Sequence, residues 1–238
     1  MAATNAKSMT AELHALGDPA IAAHSAGFFK TGKGEYGEGD RFLGIRVPVL
    51  RKLARKHRDA GDRATVALLK SRYHEARLLA LLMLVDRYER GDEAARAWIF
   101  ERYLEHRRYV NNWDLVDLSA PKIVGPHLEH GDRSLLDDLA RSAVVWDRRI
   151  AVMATLAFIR AGDFDDTLKL AALLLDDEHD LIHKATGWML REIGKRDDAV
   201  ERAFLEQHYR NMPRTMLRYA IEHLPKARRK AYLSGNVA

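Results

Sequence analysis

Apolar residues recur along this chain at helical spacing, from about residue 9 almost to the end. No run of alternating β-branched residues argues for a strand. The clear interruption is Lys30–Phe42, KTGKGEYGEGDRF, whose four glycines favour a loop over a helix. Val47–Pro48 then opens the next helix, with proline in the first turn. Gly-Asp pairs at 61–62, 91–92, 131–132 and 162–163 each fit a helix stop followed by an N-cap Asp. Asp197 or Asp198 takes the capping part later.

A second recurrence organises the helices. Charged residues set beside small or aliphatic ones return at Arg77, Asp114, Arg149, Lys184 and Arg218, in steps of 37, 35, 35 and 34. That period belongs to paired-helix repeats. One helix pair cannot bury its apolar face alone, whereas stacked pairs can. The expected fold is therefore all-α: an α-solenoid, or superhelix, of helical pairs with a concave basic groove. It forms a single domain over residues 1–238, with 30–42 as a glycine-rich insert. Asp114 or Asp117, Arg149, Lys184 and Arg218 then line up along the inner surface. The three cations of that row can track a phosphate backbone, although a peptide-binding solenoid uses the same kind of groove.

Composition sharpens the picture. The 238 residues are 47% hydrophobic, enough for a sizeable core, and the 6 prolines argue against a loop-rich protein. No apolar run approaches the length of a membrane span, and the N-terminus lacks the apolar stretch of a signal peptide. With no cysteine, disulfides, zinc–thiolate and iron–sulfur sites are excluded, while 11 histidines leave zinc on imidazole and carboxylate open. None of them forms an H-E-x-x-H pattern, and His74–Glu75 and His130 read as helix ends or surface. The net charge of +5 favours polyanions. It is concentrated late: Lys184–Lys230 holds 12 Lys and Arg against 6 Asp and Glu.

The candidate chemistry lies in YVNNWDLVDLSAPKIVG. Asn111 or Asn112 can cap a helix on which Trp113 and Asp117 are four apart and share a face. Asp117 lies beyond the first turn, so capping explains it less well than it explains Asp114. A core Trp with an Asp paired to Arg148 or Arg149 is the plain structural alternative. The next repeats offer Trp146 and Arg149, then Lys184 and Trp188 in LIHKATGWMLREIGKRDD. Gly187 inside that helix costs about 1 kcal/mol against Ala, which a close approach by another helix or a ligand rationalises. Glu192 and Arg196 form an outer-face i,i+4 pair. A carboxylate among indoles in a basic groove repels phosphate, so pure DNA binding disfavours it. It makes sense where positive charge develops, as in excision of an N-alkylated base. There the sugar becomes an oxocarbenium ion that a fixed carboxylate stabilises, indoles bind cationic groups, and Arg149 can hold a phosphate.

These segments resemble the bacterial AlkD-like DNA alkylation repair family, HEAT-like helical-repeat DNA glycosylases. The matching strings are NNWDLVD (111–117), WDRRIAV (146–152), HKATGWMLREIGK (183–195) and RTMLRYAIEHLP (214–225). The resemblance covers most of the chain from about Phe42 onward. It implies a catalytic set of Trp113, Asp117, Arg149 and Trp188, and excision of 3-methyladenine and 7-methylguanine by hydrolysis without burying a flipped base. It implies no cofactor and no metal, a monomer, double-stranded DNA carrying alkylated bases as partner, and a bacterial cytoplasmic setting. DNA contacts are expected from Lys184, Arg148, Arg191, Arg214 and Arg218. In the N-terminal part, whose helices help enclose the DNA in this family, they are expected from Lys33 and Tyr36. No lysine is placed for Schiff-base chemistry. The alternatives are a helical-repeat DNA-binding protein that recognises distorted or branched DNA without catalysis, and a protein-binding solenoid.

Overall fold

The computed structural model describes residues 5–237. Among these residues are fifteen α-helices and no strand, with one isolated bridge between Arg41 and Tyr73. The fold is an all-α helical repeat of paired helices, as the periodicity predicts. No helix is long and apolar enough to cross a membrane among the described residues. The chain divides into two compact units between Ile123 and Val124, inside a helix.

The first unit contains α1 (Ala6–Ala15), α2 (Pro19–Phe28), α3 (Val47–Lys56), α4 (Asp62–Leu69), α5 (His74–Arg90), α6 (Glu93–Glu105) and the first part of α7 (Trp113–Leu128). Its centre is α5, where Leu78 to Val85 is an unbroken buried run. A helix that is apolar on every side must be covered on every side, and α3, α4 and α6 all pack on it. On α3 the apolar face is Leu50, Leu53 and Ala54, at helical spacing, while Arg51, Lys52 and Arg55 face solvent. The polar exceptions on α5 are His74, Glu75 and Arg77, all buried in its first turn.

The second unit continues α7 and adds α8 (Ser134–Ala140), α9 (Val145–Ala154), α10 (Leu156–Ala161), α11 (Asp165–Leu173), α12 (Asp180–Gly194), α13 (Asp198–His208), α14 (Arg214–Ala220) and α15 (Lys226–Ser234). Helices α9, α12 and α14 pack side by side as one row, with α8, α11 and α13 against them. Glycines set the spacing. A methyl group at Gly187 of α12 would collide with the Met216 carbonyl oxygen of α14, and one at Gly125 with the carbonyl oxygen of Ala154. The helical glycine is therefore explained by close approach of another helix.

The Gly-Asp pairs resolve into several devices. Gly91 ends α5 and Asp92 caps α6 by accepting the Ala95 N–H, as expected. Gly162 ends α10 in the left-handed conformation, φ 84°. Gly61 is itself the N-cap of α4 and Asp62 its first residue, while Asp132 and Asp163 accept N–H groups just ahead of their helices. Asp197 rather than Asp198 caps α13.

In an ordinary helix interior, Gly→Ala is stabilising. Gly187→Ala should instead lower unfolding free energy by about 1–3 kcal/mol, because the α12–α14 packing has no room. The control is Gly27→Ala in α2, where nothing lies within 4 Å; it should gain up to about 1 kcal/mol. Urea denaturation of both variants reads the opposite signs.

Candidate functional site

The start of α7 is held from several directions. Asn112 sits buried before it; its side chain accepts the Trp113 N–H at 2.8 Å and its carbonyl accepts the Val116 N–H at 3.1 Å. Asn112 is thus the capping asparagine. The Trp113 ring lies nearly parallel to Phe29, centroids 5.3 Å apart, and meets Phe28 edge-on at 6.0 Å. One turn on, Asp117 is half-buried on the same face as Trp113.

Asp114 is fixed by a buried chain of charges. One of its oxygens accepts the Leu115 N–H, and the other accepts His74 Nε2 at 2.8 Å. The second ring nitrogen, Nδ1, lies 2.9 Å from Asp40, whose other oxygen accepts Arg77 Nη2 at 2.7 Å. His74 is 2% exposed. Two ionised carboxylates can only accept, so both ring nitrogens must donate and the ring is an imidazolium. Burial opposes that charge, but Asp114 and Asp40 outweigh it and raise the pKa of His74 to about 9. Burial likewise works against the Asp40 carboxylate, yet His74 and Arg77 keep its pKa below the usual aspartate value. Phe42 stacks on the imidazolium at 4.6 Å, and Phe29 lies tilted against it at 4.9 Å.

The glycine-rich segment delivers Asp40. Its turns are internally capped: Glu35 accepts the Gly32 N–H and Glu38 that of Gly34. Beyond it, the buried Glu75 carboxylate accepts three successive N–H groups, from Leu43, Gly44 and Ile45, at 2.9, 2.7 and 3.2 Å. Gly44 has φ 84°, and a side chain there would strike the Asp18 carbonyl. Lys33 is exposed and Tyr36 half-buried on this segment. A cavity of about 760 Å3 lies beside the network, lined among others by Phe29, Phe42, Ile45, His74, Leu78 and Asp114.

His74 and Glu75 are therefore at a helix end, as their sequence context suggests, but they are not surface residues. Neither Asp40 nor Phe29 carries a sequence signal of its own. The available clue was three ionisable residues just ahead of a run, Leu78–Val85, that is apolar on every side of the helix, because such residues are buried only when paired.

In the second unit, Arg149, Lys184 and Arg218 are each the fifth residue of their helices, α9, α12 and α14. On α7 the fifth residue is Asp117, and Asp114 is the second. Arg149 is 4% exposed and donates to the Leu181 carbonyl at 2.5 Å, tying α9 to α12. Arg148 is engaged by Asp177 at 2.6 Å and by the carbonyls of Ser142 and Ala143. Lys184 meets Asp180 at 2.7 Å, and Arg191 pairs with Glu222. Arg214 and Arg218 are exposed, with no carboxylate partner among the described residues. Trp188 is half-buried and its Nε1 donates to Glu192 at 3.3 Å; Glu192 also takes Lys195 and the expected Arg196. Among the described residues no cluster of three or more His, Asp or Glu is grouped as metal ligands would be.

The array of paired helices places the chain in the class of all-α helical-repeat proteins. Comparison makes the class specific. The family model described as DNA alkylation repair enzyme matches residues 9–224. The solved structure of a predicted DNA alkylation repair enzyme from Enterococcus faecalis is similar in fold, with a TM-score of 0.68 at 17% identity, covering 88% of this chain and 97% of that one. No curated protein sequence matches the chain. The chain belongs to the DNA alkylation repair enzyme family.

The His74 charge makes stability depend on pH. Its folded pKa is raised, so its contribution is complete below about pH 6.5 and is lost as pH rises through about 9. Asp40 works at the other end: its contribution is lost only as pH falls below the usual aspartate value. Between pH 6 and 10 the wild-type unfolding free energy from urea denaturation should fall, by up to about 3 kcal/mol, whereas that of His74→Gln should start lower and vary less over that interval. Parallel curves would remove the imidazolium assignment.

Proposed function

We propose that this protein is a monofunctional DNA N-glycosylase that excises positively charged N-alkylated purines, 3-methyladenine and 7-methylguanine, from double-stranded DNA as a base excision repair enzyme. It acts as a monomer without a cofactor. The observation that carries this proposal is the half-buried Asp117, one turn from Trp113 on a helix whose first turn is locked by Asn112, Phe29 and the His74–Asp114 pair.

The chemistry follows from the lesion. N-alkylation puts a formal positive charge on the purine, which weakens the bond from its nitrogen to C1′. As that bond breaks, its electron pair goes to the base, which leaves neutral, and the positive charge passes to the sugar as an oxocarbenium ion. The Asp117 carboxylate stabilises this ion and orients the attacking water, whose oxygen bonds to C1′ and whose proton goes to solvent. Trp113, on the same helix face as Asp117, offers its ring to the sugar, and the family resemblance assigns Trp188 a part in the same chemistry. Because the departing group is already activated, no acid is needed to protonate it. Arg149, buried at the α9–α12 junction, contributes by positioning those helices, and the exposed Arg214 and Arg218 hold backbone phosphates. Lys33, Tyr36, Lys184 and Arg191 complete the DNA contacts. Arg148, committed to Asp177, contributes chiefly by fixing the start of α9.

Duplex DNA carrying 7-methylguanine, and separately 3-methyladenine, should release free base with the wild type. Asp117→Asn should release it about 100- to 1,000-fold more slowly while binding undamaged DNA as well or better. Undiminished release by Asp117→Asn would reject the role given to the carboxylate. Absence of release by the wild type, with salt-sensitive DNA binding retained, would leave a non-catalytic DNA reader.

The arginines should separate by burial. Arg149→Ala leaves buried partners unpaired and should lower both the melting temperature, by about 2–4 kcal/mol in stability terms, and DNA affinity. Arg214→Ala should lower affinity and its salt dependence with the melting temperature unaltered. Calorimetry and titration of the two variants test this contrast.

A further inference from the structure

The last two helices of the second unit, α14 and α15, border a cleft of about 640 Å3. Four cations line it: Arg218, Lys226, Arg229 and Lys230. None of them has a carboxylate partner among the described residues, and the Arg229 Nε is buried without an acceptor. The carboxylate at the cleft, Glu222, is already paired with Arg191. Neighbouring Arg228 shows the ordinary alternative, an ion pair with Asp198. Four unpaired like charges around one cleft repel one another, and a bound anion relieves that repulsion.

The rest of the lining is not what a phosphate alone requires. Tyr219, Ile221 and Leu233 form an apolar side, and the Tyr219 side chain stands 37% exposed. A bare phosphate would leave that surface wet. A nucleotide of a strand matches both parts, because it joins phosphates to a flat base whose π-face stacks on aromatic rings.

We propose that this cleft is a subsite for a nucleic-acid strand, holding the phosphates on either side of one unstacked base among Arg218, Lys226, Arg229 and Lys230, with that base against Tyr219. It rests on DNA being the substrate and adds a contact suited to a single-stranded tail or a gap, where an unstacked base is available. The binding energy divides accordingly: the cations supply a salt-dependent part common to all DNA, and Tyr219 supplies a part that only unstacked bases collect.

Fluorescence anisotropy of the full chain tests the division, using labelled single-stranded, gapped-duplex and intact-duplex oligonucleotides across a range of NaCl, with AMP as competitor. Lys226→Ala/Lys230→Ala should lower the slope of log affinity against log salt by about one unit. Tyr219→Ala should weaken single-stranded and gapped DNA about tenfold, with the intact duplex and the slope unaltered. The substituted residues are exposed, and circular dichroism melts verify folding. An unaltered slope in the double variant overturns the proposal, as does an equal effect of Tyr219→Ala on all three DNAs. Binding of AMP as tightly as the strand would reassign the cleft to free nucleotides and overturns it too. Base release from 7-methylguanine DNA is measured in parallel. Loss of strand affinity in the variants with no release by the wild type keeps the cleft and rejects the glycosylase; release with unaltered affinity rejects the cleft alone.

Discussion

One buried imidazolium sets the geometry of the first unit. His74 lies between Asp40 and Asp114, and through them it joins the glycine-rich segment, the start of α5 and the start of α7. Each partner makes the others affordable in an apolar interior: a lone buried carboxylate or imidazolium would shed its charge, whereas alternating charges with matched hydrogen bonds keep theirs. Arg77 closes the series by neutralising the outer oxygen of Asp40. The aromatic rings follow from the same point, since Phe42 and Phe29 pack on the imidazolium and Phe29 in turn supports Trp113.

The consequence for the candidate site is order without direct participation. Trp113 and Asp117 gain their common face from helix geometry alone, but a helix terminus frays unless its first turn is held. Here the Asn112 cap and the His74–Asp114 pair hold it. Asp114 is thereby spent on structure, which separates it from Asp117 despite their closeness in sequence. A fixed carboxylate stabilises a developing cation better than a mobile one, because it needs no reorganisation at the moment of reaction.

The second unit solves a different problem. Its row of helices is held at close spacing by Gly125 and Gly187, where backbone meets backbone. Cations on that row divide by surroundings. Arg148 and Arg149 are bound into helix junctions, whereas Arg214 and Arg218 stand in solvent. A long, charged side chain can serve either use, and composition alone does not say which.

Much was legible in the sequence because it is local. Helical periodicity, the break at Lys30–Phe42, a cap at Asn111 or Asn112 and the shared face of Trp113 and Asp117 all depend on residues a few positions apart, where backbone geometry decides the outcome. The repeat spacing was legible too, since equivalent helices carry equivalent positions; Arg149, Lys184 and Arg218 return at the same place in α9, α12 and α14. The tertiary structure decided what depends on separation in sequence. Asp40 and His74 are 34 residues apart, and His74 and Asp114 are 40 apart. Nothing in their local patterns distinguishes a solvated charge from a buried one. Whether a charge survives burial depends on which partner the fold brings to it, and that pairing exists only once the chain has closed on itself.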